Sequence, residues 1–212
     1  MTMPGAFITL EGTEGVGKST NLGFAEQYLR TRGIDVLTTR EPGGTELGEK
    51  VRHWVLDGDH GELSAEVESL LMFAARAHHL SRVIAPALDA GRWVLCDRFT
   101  DATFAYQGGG RGADRRLLEA LEAGVQRNLV PDLTLLLDAP LATGRARIRA
   151  RTPDHFERER EPFFERVRAA YLERAAHDPQ RIKVVDAALP LDAVRAQIEA
   201  RLAELVERRR AA

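Results

Sequence analysis

The chain has 212 residues, 44% of them hydrophobic and 29% charged, and its formal net charge is −2. These values are typical of a globular protein, and they give no bulk electrostatic reason to expect nucleic-acid or membrane binding. The single cysteine, Cys96, excludes an internal disulfide and fits a reducing cytoplasm. No signal-peptide pattern and no apolar run of roughly 18 residues is present. We therefore expect a cytoplasmic protein with one domain over residues 1–212.

The first predicted element is a buried strand over residues 6–10, and a glycine-rich segment follows it directly. Residues 12–19 read GTEGVGKS and match the phosphate-binding P-loop pattern GxxxxGK[ST]. A helix is predicted next, over residues 20–30, so motif and context agree. In such a loop Lys18 neutralises the β- and γ-phosphates and Ser19 binds Mg²⁺. The alternative, a plain glycine turn, does not require Lys-Ser after the last glycine. The residues predicted to bind ATP are Gly12, Thr13, Glu14, Gly15, Val16, Gly17, Lys18, Ser19 and Thr20.

A second strand is predicted over residues 36–39, and it leads into the sequence REPGGT at 40–45. Taken alone, this segment is an ordinary Pro-Gly-Gly turn. At the same sheet edge as the P-loop, it would also supply Arg40 and Glu41 to a site.

A long helix is predicted over residues 66–88, where apolar side chains recur with helical spacing. Pro86 should bend or end it. Phe73 and Arg76 lie one turn apart and could together stack on a base and bind its edge. Packing in the core is the alternative interpretation for Phe73.

The strand predicted over residues 93–96 ends in Asp97-Arg98. Ligands of open α/β sheets bind beyond the carboxyl ends of the strands, so Asp97 could reach Mg²⁺ and Arg98 could bind a phosphate. A surface pair that caps the next helix is the alternative.

Three polar side chains follow on one helical face, namely Thr103, Tyr106 and Gln107. They could present a hydroxyl, a phenol and an amide to one ligand, or they could belong to a partly exposed helix end. The glycines at 108–110 are expected to break that helix.

The last third of the chain alternates between strand-like runs and helical patterns. Strands are predicted over residues 133–137 and 182–185, and a terminal helix over 191–206. Apolar runs without alternation indicate strands that are buried on both faces, as in a parallel α/β sheet. The arginine-rich segment at 145–160 is either a solvated helix or a lid that brings arginine to a transferring phosphoryl group.

The motifs taken together resemble those of bacterial thymidylate kinases, which are P-loop nucleoside monophosphate kinases. The resemblance rests on DRFTDATFAYQGGGRG at residues 97–112 and on REPGGT at 40–45. It implies a P-loop NTPase fold with a five-stranded parallel sheet flanked by helices on both faces. It also implies transfer of the γ-phosphate of ATP to dTMP with Mg²⁺, giving dTDP for dTTP synthesis. Family members are usually homodimers, and the helix at 66–88 is a candidate interface.

The resemblance also assigns roles to single residues. Glu14 would approach the deoxyribose 3′-OH and the metal, and Arg98 would bind the dTMP phosphate. Tyr106 would face the 2′ side of the sugar. The full set implied to bind dTMP is Glu14, Arg40, Glu41, Met72, Phe73, Arg76, Arg98, Thr103, Tyr106 and Gln107. The metal ligands would be Ser19 and Asp97, and the catalytic residues Lys18, Arg98, Arg151, Asp97 and Glu14.

Glu14 is acidic where some relatives carry a basic P-loop residue, so the resemblance places the catalytic arginine in the lid. Arg151 matches that role best, and the other implied lid residues are Arg147, Arg149, Asp154 and Glu157. The chain departs from many relatives at Ala102, at Met72-Phe73 and at His155.

A kinase for another nucleotide is the nearest rival. A GTP-binding switch would need an Asn-Lys-x-Asp segment that reads guanine, and the sequence contains none. A nucleotide-binding module without turnover would not need Lys18, Ser19, Asp97 and Arg98 together.

Overall fold

The computed structural model describes residues 5–57, 63–148 and 161–211, and a five-stranded sheet lies at its centre. The spatial order is β2-β3-β1-β4-β5, and every neighbouring pair is parallel. The predicted α/β fold with a five-stranded parallel sheet is therefore confirmed. The strands are β1 (Phe7–Glu11), β2 (Val36–Arg40), β3 (Trp93–Asp97), β4 (Leu133–Asp138) and β5 (Ile182–Asp186).

Helices connect the strands and cover both faces of the sheet. Within the described ranges none of them is long and apolar enough to cross a membrane. Their bounds are α1 (Lys18–Arg30), α2 (Glu46–Asp57), α3 (Ala65–His79), α4 (Ala85–Asp89), α5 (Thr100–Thr103), α6 (Arg115–Gln126), α7 (Leu141–Ile148), α8 (Glu161–His177) and α9 (Leu191–Ala211).

The central strands are buried on both faces because separate apolar clusters cover each one. Ile8 and Leu10 pack on the side of α1 and α9, where Leu29 and Ile198 are fully buried. Phe7 belongs to a second cluster on the opposite side, and further clusters form beneath α3, α6 and α8. This double burial explains why the strand sequences read as continuous apolar runs.

Two π-helical segments modify the helices that the sequence predicts. Leu80–Ile84 separates α3 from α4, so the single helix predicted over 66–88 is divided. Pro86 lies in the first turn of α4, where its missing N–H is tolerated. The second segment, Phe104–Gly110, continues α5 through the glycines that we expected to break it. A Cβ at Gly109 would lie 2.6 Å from Ala170 Cβ, so these glycines let α8 pack directly on the segment.

Candidate active site

The P-loop lies between β1 and α1, at the carboxyl edge of the sheet where β1 separates β3 from β4. Gly12, Gly15 and Gly17 have φ values of 137°, 73° and 92°, which L side chains rarely adopt. A Cβ at Gly12 would meet the carbonyl of Leu137, and one at Gly15 the carbonyl of Gly144. The loop therefore needs glycine both for its backbone conformation and for its close packing.

Lys18 is folded back over the loop that carries it. Its Nζ donates to the carbonyl oxygens of Gly12 at 3.0 Å and Thr13 at 2.7 Å. Burial, and to a lesser extent the charge of Arg98, lowers the pKa of Lys18 to about 8. The ammonium group is thus held beside the loop, ready to exchange two carbonyls for phosphate oxygens.

A cavity of about 490 Å³ opens beside the P-loop and extends under the ends of β2 and β3. Most of the residues that the sequence places in a site line it. They are Glu14, Gly15, Gly17, Lys18, Ser19, Thr20, Arg40, Glu41, Met72, Arg76, Asp97, Arg98, Thr103, Tyr106, Gln107 and Arg147. Gly12, Thr13 and Val16 lie buried outside the lining of this cavity.

Phe73 does not line the cavity, unlike the neighbouring Met72. Its side chain is 1% exposed and packs with Phe104 and Leu118. The guanidinium of Arg76 lies 4.6 Å from the centre of its ring. Phe73 is therefore packed in the core beside Arg76, which favours the core interpretation, and whether it touches a ligand stays a prediction.

Arg98, Glu14 and Tyr106 form a hydrogen-bonded group in the cavity wall. Arg98 Nη2 donates to Glu14 Oε1 at 2.9 Å and to the Tyr106 hydroxyl oxygen at 3.1 Å. The Tyr106 hydroxyl donates to Glu14 Oε1 at 2.6 Å. Glu14 Oε2 is buried and has no hydrogen-bond partner among the described residues. This group offers a cation, a phenol and a free carboxylate oxygen to one ligand.

Arg76 also lines the cavity, and two of its three guanidinium nitrogens are held by hydrogen bonds. Its Nε donates to Glu41 Oε2 at 2.7 Å and its Nη2 to Thr103 Oγ1 at 3.0 Å. Within the described part of the chain, Nη1 is buried without a hydrogen-bond partner. His79, which the sequence did not indicate, lies 2.9 Å from the other oxygen of Glu41. Because both carboxylate oxygens are held, Arg76 keeps one orientation and one donor for a ligand.

Gln107 is oriented by a buried carboxylate on α3. Its Nε2 donates to Glu68 Oε2 at 3.1 Å, and both side chains are almost fully buried. Glu68 is a second supporting residue that no local sequence pattern indicates.

Arg52 lines the cavity although the sequence analysis did not select it. It lies on α2 and donates through Nη1 to the carbonyl oxygen of Pro42 at 3.3 Å. Burial lowers the pKa of Arg52, and the charges of Arg40 and Arg98 lower it further. Three guanidinium groups thus converge on one part of the cavity, which favours an anion there.

Asp97 and Ser19 fit the requirements of a magnesium ion. Asp97 Oδ1 is buried with no hydrogen-bond partner in residues 5–57, 63–148 and 161–211, and Ser19 lies exposed in the first turn of α1. Mg²⁺ takes few protein ligands and completes its shell with phosphates and water. Accordingly, no cluster of at least three His, Cys, Asp or Glu side chains with metal-ligand geometry is needed, and the described ranges contain none.

Arg147 reaches the cavity from α7 and donates through Nη1 to the carbonyl oxygen of Ala187 at 3.1 Å. It is the one implied lid residue that the described part of the chain includes. The others, Arg149, Arg151, Asp154 and Glu157, lie outside the described residues.

Comparisons with known proteins agree with this geometry. A family profile described as thymidylate kinase matches residues 10–198. The chain is 57% identical to the thymidylate kinase of Chromohalobacter salexigens, over 95% of this chain and 96% of that protein. It is 56% identical to that of Pseudomonas putida, over 95% and 98% of the two chains.

The chain belongs to the thymidylate kinase family. The crystal structure of thymidylate kinase from Ehrlichia chaffeensis has the same fold, with a TM-score of 0.76 and 33% identity. That comparison covers 94% of this chain and 99% of the other. The resemblance drawn from residues 40–45 and 97–112 is therefore confirmed at the level of the family.

The P-loop and α7 touch through two glycines. A Cβ on Gly144 would lie 2.5 Å from the carbonyl oxygen of Glu14, which is backbone and cannot move alone. α7 carries Arg147 and leads towards the segment in which the family resemblance places the lid. The contact therefore sets the position of α7 relative to the phosphate-binding loop.

Gly144→Ala is expected to lower kcat/KM about ten- to a hundredfold, because displacement of a site element by about 1 Å can cost that much. Steady-state kinetics with an unfolding curve tests it. Gly124→Ala is the matched control, since a Cβ on Gly124 in α6 would meet nothing within 4 Å. Equal kinetics for the two variants would refute the role of the contact.

Proposed function

We propose that this chain transfers the γ-phosphate of ATP to dTMP, giving dTDP and ADP, and that the cavity beside the P-loop holds both reacting phosphates. One observation carries the proposal. The P-loop and three convergent arginines line the same cavity as the fixed polar groups of Arg76, Thr103 and Gln107. A cavity with two anion sites and one polar recognition wall suits a nucleoside triphosphate and a monophosphate.

ATP would bind with its phosphates against the backbone N–H groups of the P-loop and the N-terminus of α1. Lys18 would leave its two carbonyl partners and contact the β- and γ-phosphates. Ser19 and Asp97 would hold Mg²⁺, which supplies further neutralisation of phosphate charge when bound. Arg147, which donates to the carbonyl oxygen of Ala187 and lines the same cavity, would supply further positive charge near the phosphates.

The dTMP phosphate would lie between Arg98 and Arg52, with Arg40 nearby. The sugar would contact Glu14 and Tyr106, which are already joined by a hydrogen bond. The thymine would meet the free Nη1 of Arg76, the Thr103 hydroxyl and the Gln107 amide, with Met72 covering its face. Glu41 would act on the base through Arg76 and not by direct contact.

The reaction needs no strong base, because the attacking oxygen of dTMP is already anionic. Catalysis then consists of placing two phosphates in line and neutralising the charge between them. Lys18 and Arg98 provide two of the cations. Arg151, which lies outside the described residues, is proposed to provide a third from the lid together with Arg149.

We extend the proposal to a cytoplasmic, single-domain protein that acts as a homodimer. Large apolar side chains are exposed on α2 and α3, and these two helices pack against each other. The exposed residues are Leu47, Trp54, Val67 and Leu70. Sedimentation equilibrium measures the assembly state, and a stable monomer at micromolar concentration would overturn the dimer.

A substrate panel tests the activity. ADP release is measured with equal concentrations of dTMP, dCMP, dGMP and AMP. We expect a far higher kcat/KM for dTMP than for the other three. Of these four bases, thymine alone has no exocyclic amine, so it offers acceptors to Arg76 without bringing a second donor against the fixed donors of the site. A preference for any of the other three would make this chain a kinase for a different nucleotide.

A further inference from the structure

Glu11 is a fully buried carboxylate that the phosphoryl transfer described above does not use. It is the last residue of β1 and none of its surface is exposed. Its Oε1 accepts from the backbone N–H of Phe99 at 2.7 Å, and its Oε2 accepts from the Tyr171 hydroxyl at 2.8 Å. One side chain therefore joins β1, the turn after β3 and helix α8.

The bond to Phe99 holds the backbone of the phosphate-binding arginine. Arg98 has φ 66°, a left-handed conformation that costs a non-glycine residue free energy unless its surroundings enforce it. The N–H of Arg98 donates to the carbonyl of Leu10 at 2.9 Å, and the next N–H donates to Glu11. Two adjacent residues of β1 thus fix the turn that directs Arg98 into the cavity.

The bond to Tyr171 connects the same carboxylate with the helix that follows the proposed lid. Tyr171 is 2% exposed, and its ring lies edge-on to that of Tyr106 with the centroids 6.2 Å apart. Tyr106 in turn accepts a hydrogen bond from Arg98. The same buried network therefore contacts Arg98 at its backbone, through Leu10 and the Phe99 turn, and at its side chain, through Tyr106.

We propose that Glu11 is a positioning residue for dTMP binding, which fixes the left-handed turn at Arg98 and ties that turn to helix α8. The inference rests on the proposed function, because it assumes that Arg98 binds the dTMP phosphate. A charged carboxylate is suited to this task, since it accepts two hydrogen bonds that are stronger and shorter than those to a neutral group.

Burying the charged form of Glu11 costs folding stability, and this cost gives the inference a second measurable effect. Burial, and to a lesser extent the nearby charge of Asp101, raises the pKa of Glu11 from its usual 4.5 to about 7. The folded pKa exceeds the unfolded one, so the proton on Glu11 stabilises the fold at low pH. That contribution is lost as the pH rises through about 7. The charged and titratable groups around Glu11 are Lys18, Cys96, Arg98, Asp101, Tyr106 and Tyr171.

Glu11→Gln separates positioning from simple structural support. Glutamine keeps the shape and one acceptor for Phe99 N–H, but it carries no charge. At about pH 8 we expect an unfolding midpoint equal to or above that of the unmodified chain, because no buried charge remains. We expect its dTMP dissociation constant to rise about fivefold or more, because a charge-assisted bond becomes neutral.

Comparing the binding of dTMP with that of thymidine shows whether Glu11 acts through the phosphate site. Thymidine lacks the phosphate, so calorimetric titration should show an unchanged thymidine affinity in Glu11→Gln. Thr9→Val is the control for a lost buried hydrogen bond in β1, because Thr9 contacts Thr134 and not the site. It is expected to keep the dTMP affinity within about twofold.

Tyr171→Phe removes the hydrogen bond to α8 and leaves the bond to Phe99, so it should weaken dTMP binding by less than Glu11→Gln does. A Glu11→Gln variant with lower stability and normal dTMP binding would overturn the inference, as would equal losses for dTMP and thymidine. Failure of the unmodified chain to bind dTMP would instead refute the proposed function, so the two failures are distinguishable.

Discussion

Lys18→Met is expected to lower kcat by at least about a thousandfold, or roughly 4 kcal/mol of transition-state stabilisation, in a protein that stays folded. In this structure the ammonium group makes two hydrogen bonds to carbonyls of its own loop. Burial of the charge opposes these bonds, as the lowered pKa of Lys18 shows, so removal of the ammonium group should cost little stability. Its charge is nevertheless the one that we propose neutralises the β- and γ-phosphates. ADP release with dTMP and an unfolding curve measure the two effects separately.

Lys50→Met is the matched control for Lys18→Met. Lys50 is exposed on α2, and its one ion pair with a described residue is with Glu46, one helical turn away. Surface pairs of this kind contribute little, so both kcat and stability should stay close to those of the unmodified chain. A correctly folded Lys18→Met variant with near-normal kcat would rule out the role assigned to the loop.

Arg98→Asn is expected to lower kcat/KM for dTMP by about a thousandfold or more. Asparagine tolerates the left-handed conformation at φ 66° better than most residues, so the turn should survive. The variant removes a cation and leaves Glu14 without its arginine partner, and that carboxylate then repels the phosphate. Kinetics with dTMP at saturating ATP give the size of the loss.

Calorimetric titration shows whether that loss comes from the phosphate. The unmodified chain should bind dTMP much more tightly than thymidine, and Arg98→Asn should nearly remove this difference. Arg92→Asn provides the control, because Arg92 forms an exposed pair with Asp35 far from the cavity. If Arg98→Asn kept its preference for dTMP over thymidine, another residue would hold the phosphate.

The sequence predicted those parts of the protein whose signal is local. The P-loop can be recognised because its glycines, lysine and serine follow one another within eight residues, 12–19. The parallel sheet follows from strands that are apolar on both faces. Asp97 and Arg98 were found because a strand end places them at the edge where ligands bind.

The residues that sequence reasoning missed act across long separations. Arg52, His79 and Glu68 belong to helices with no motif, and each acquires its role only when the fold brings it to Pro42, Glu41 or Gln107. Met72 and Phe73 differ by one position, and the rotation of α3 in the fold decides which of them lines the cavity. The charge run at 145–160 gave two interpretations, and the role of Arg151 stays a prediction.

The measurement that tests the account most directly is a crystal structure of the chain with dTMP, Mg²⁺ and a non-hydrolysable ATP analogue. The account predicts the analogue's phosphates on the P-loop with Lys18 moved onto them, and Mg²⁺ near Ser19 and Asp97. It places the dTMP phosphate on Arg98 and the thymine against Arg76. A dTMP phosphate that contacts neither Arg98 nor Arg52, or a base that lies away from Arg76 and Gln107, would contradict it.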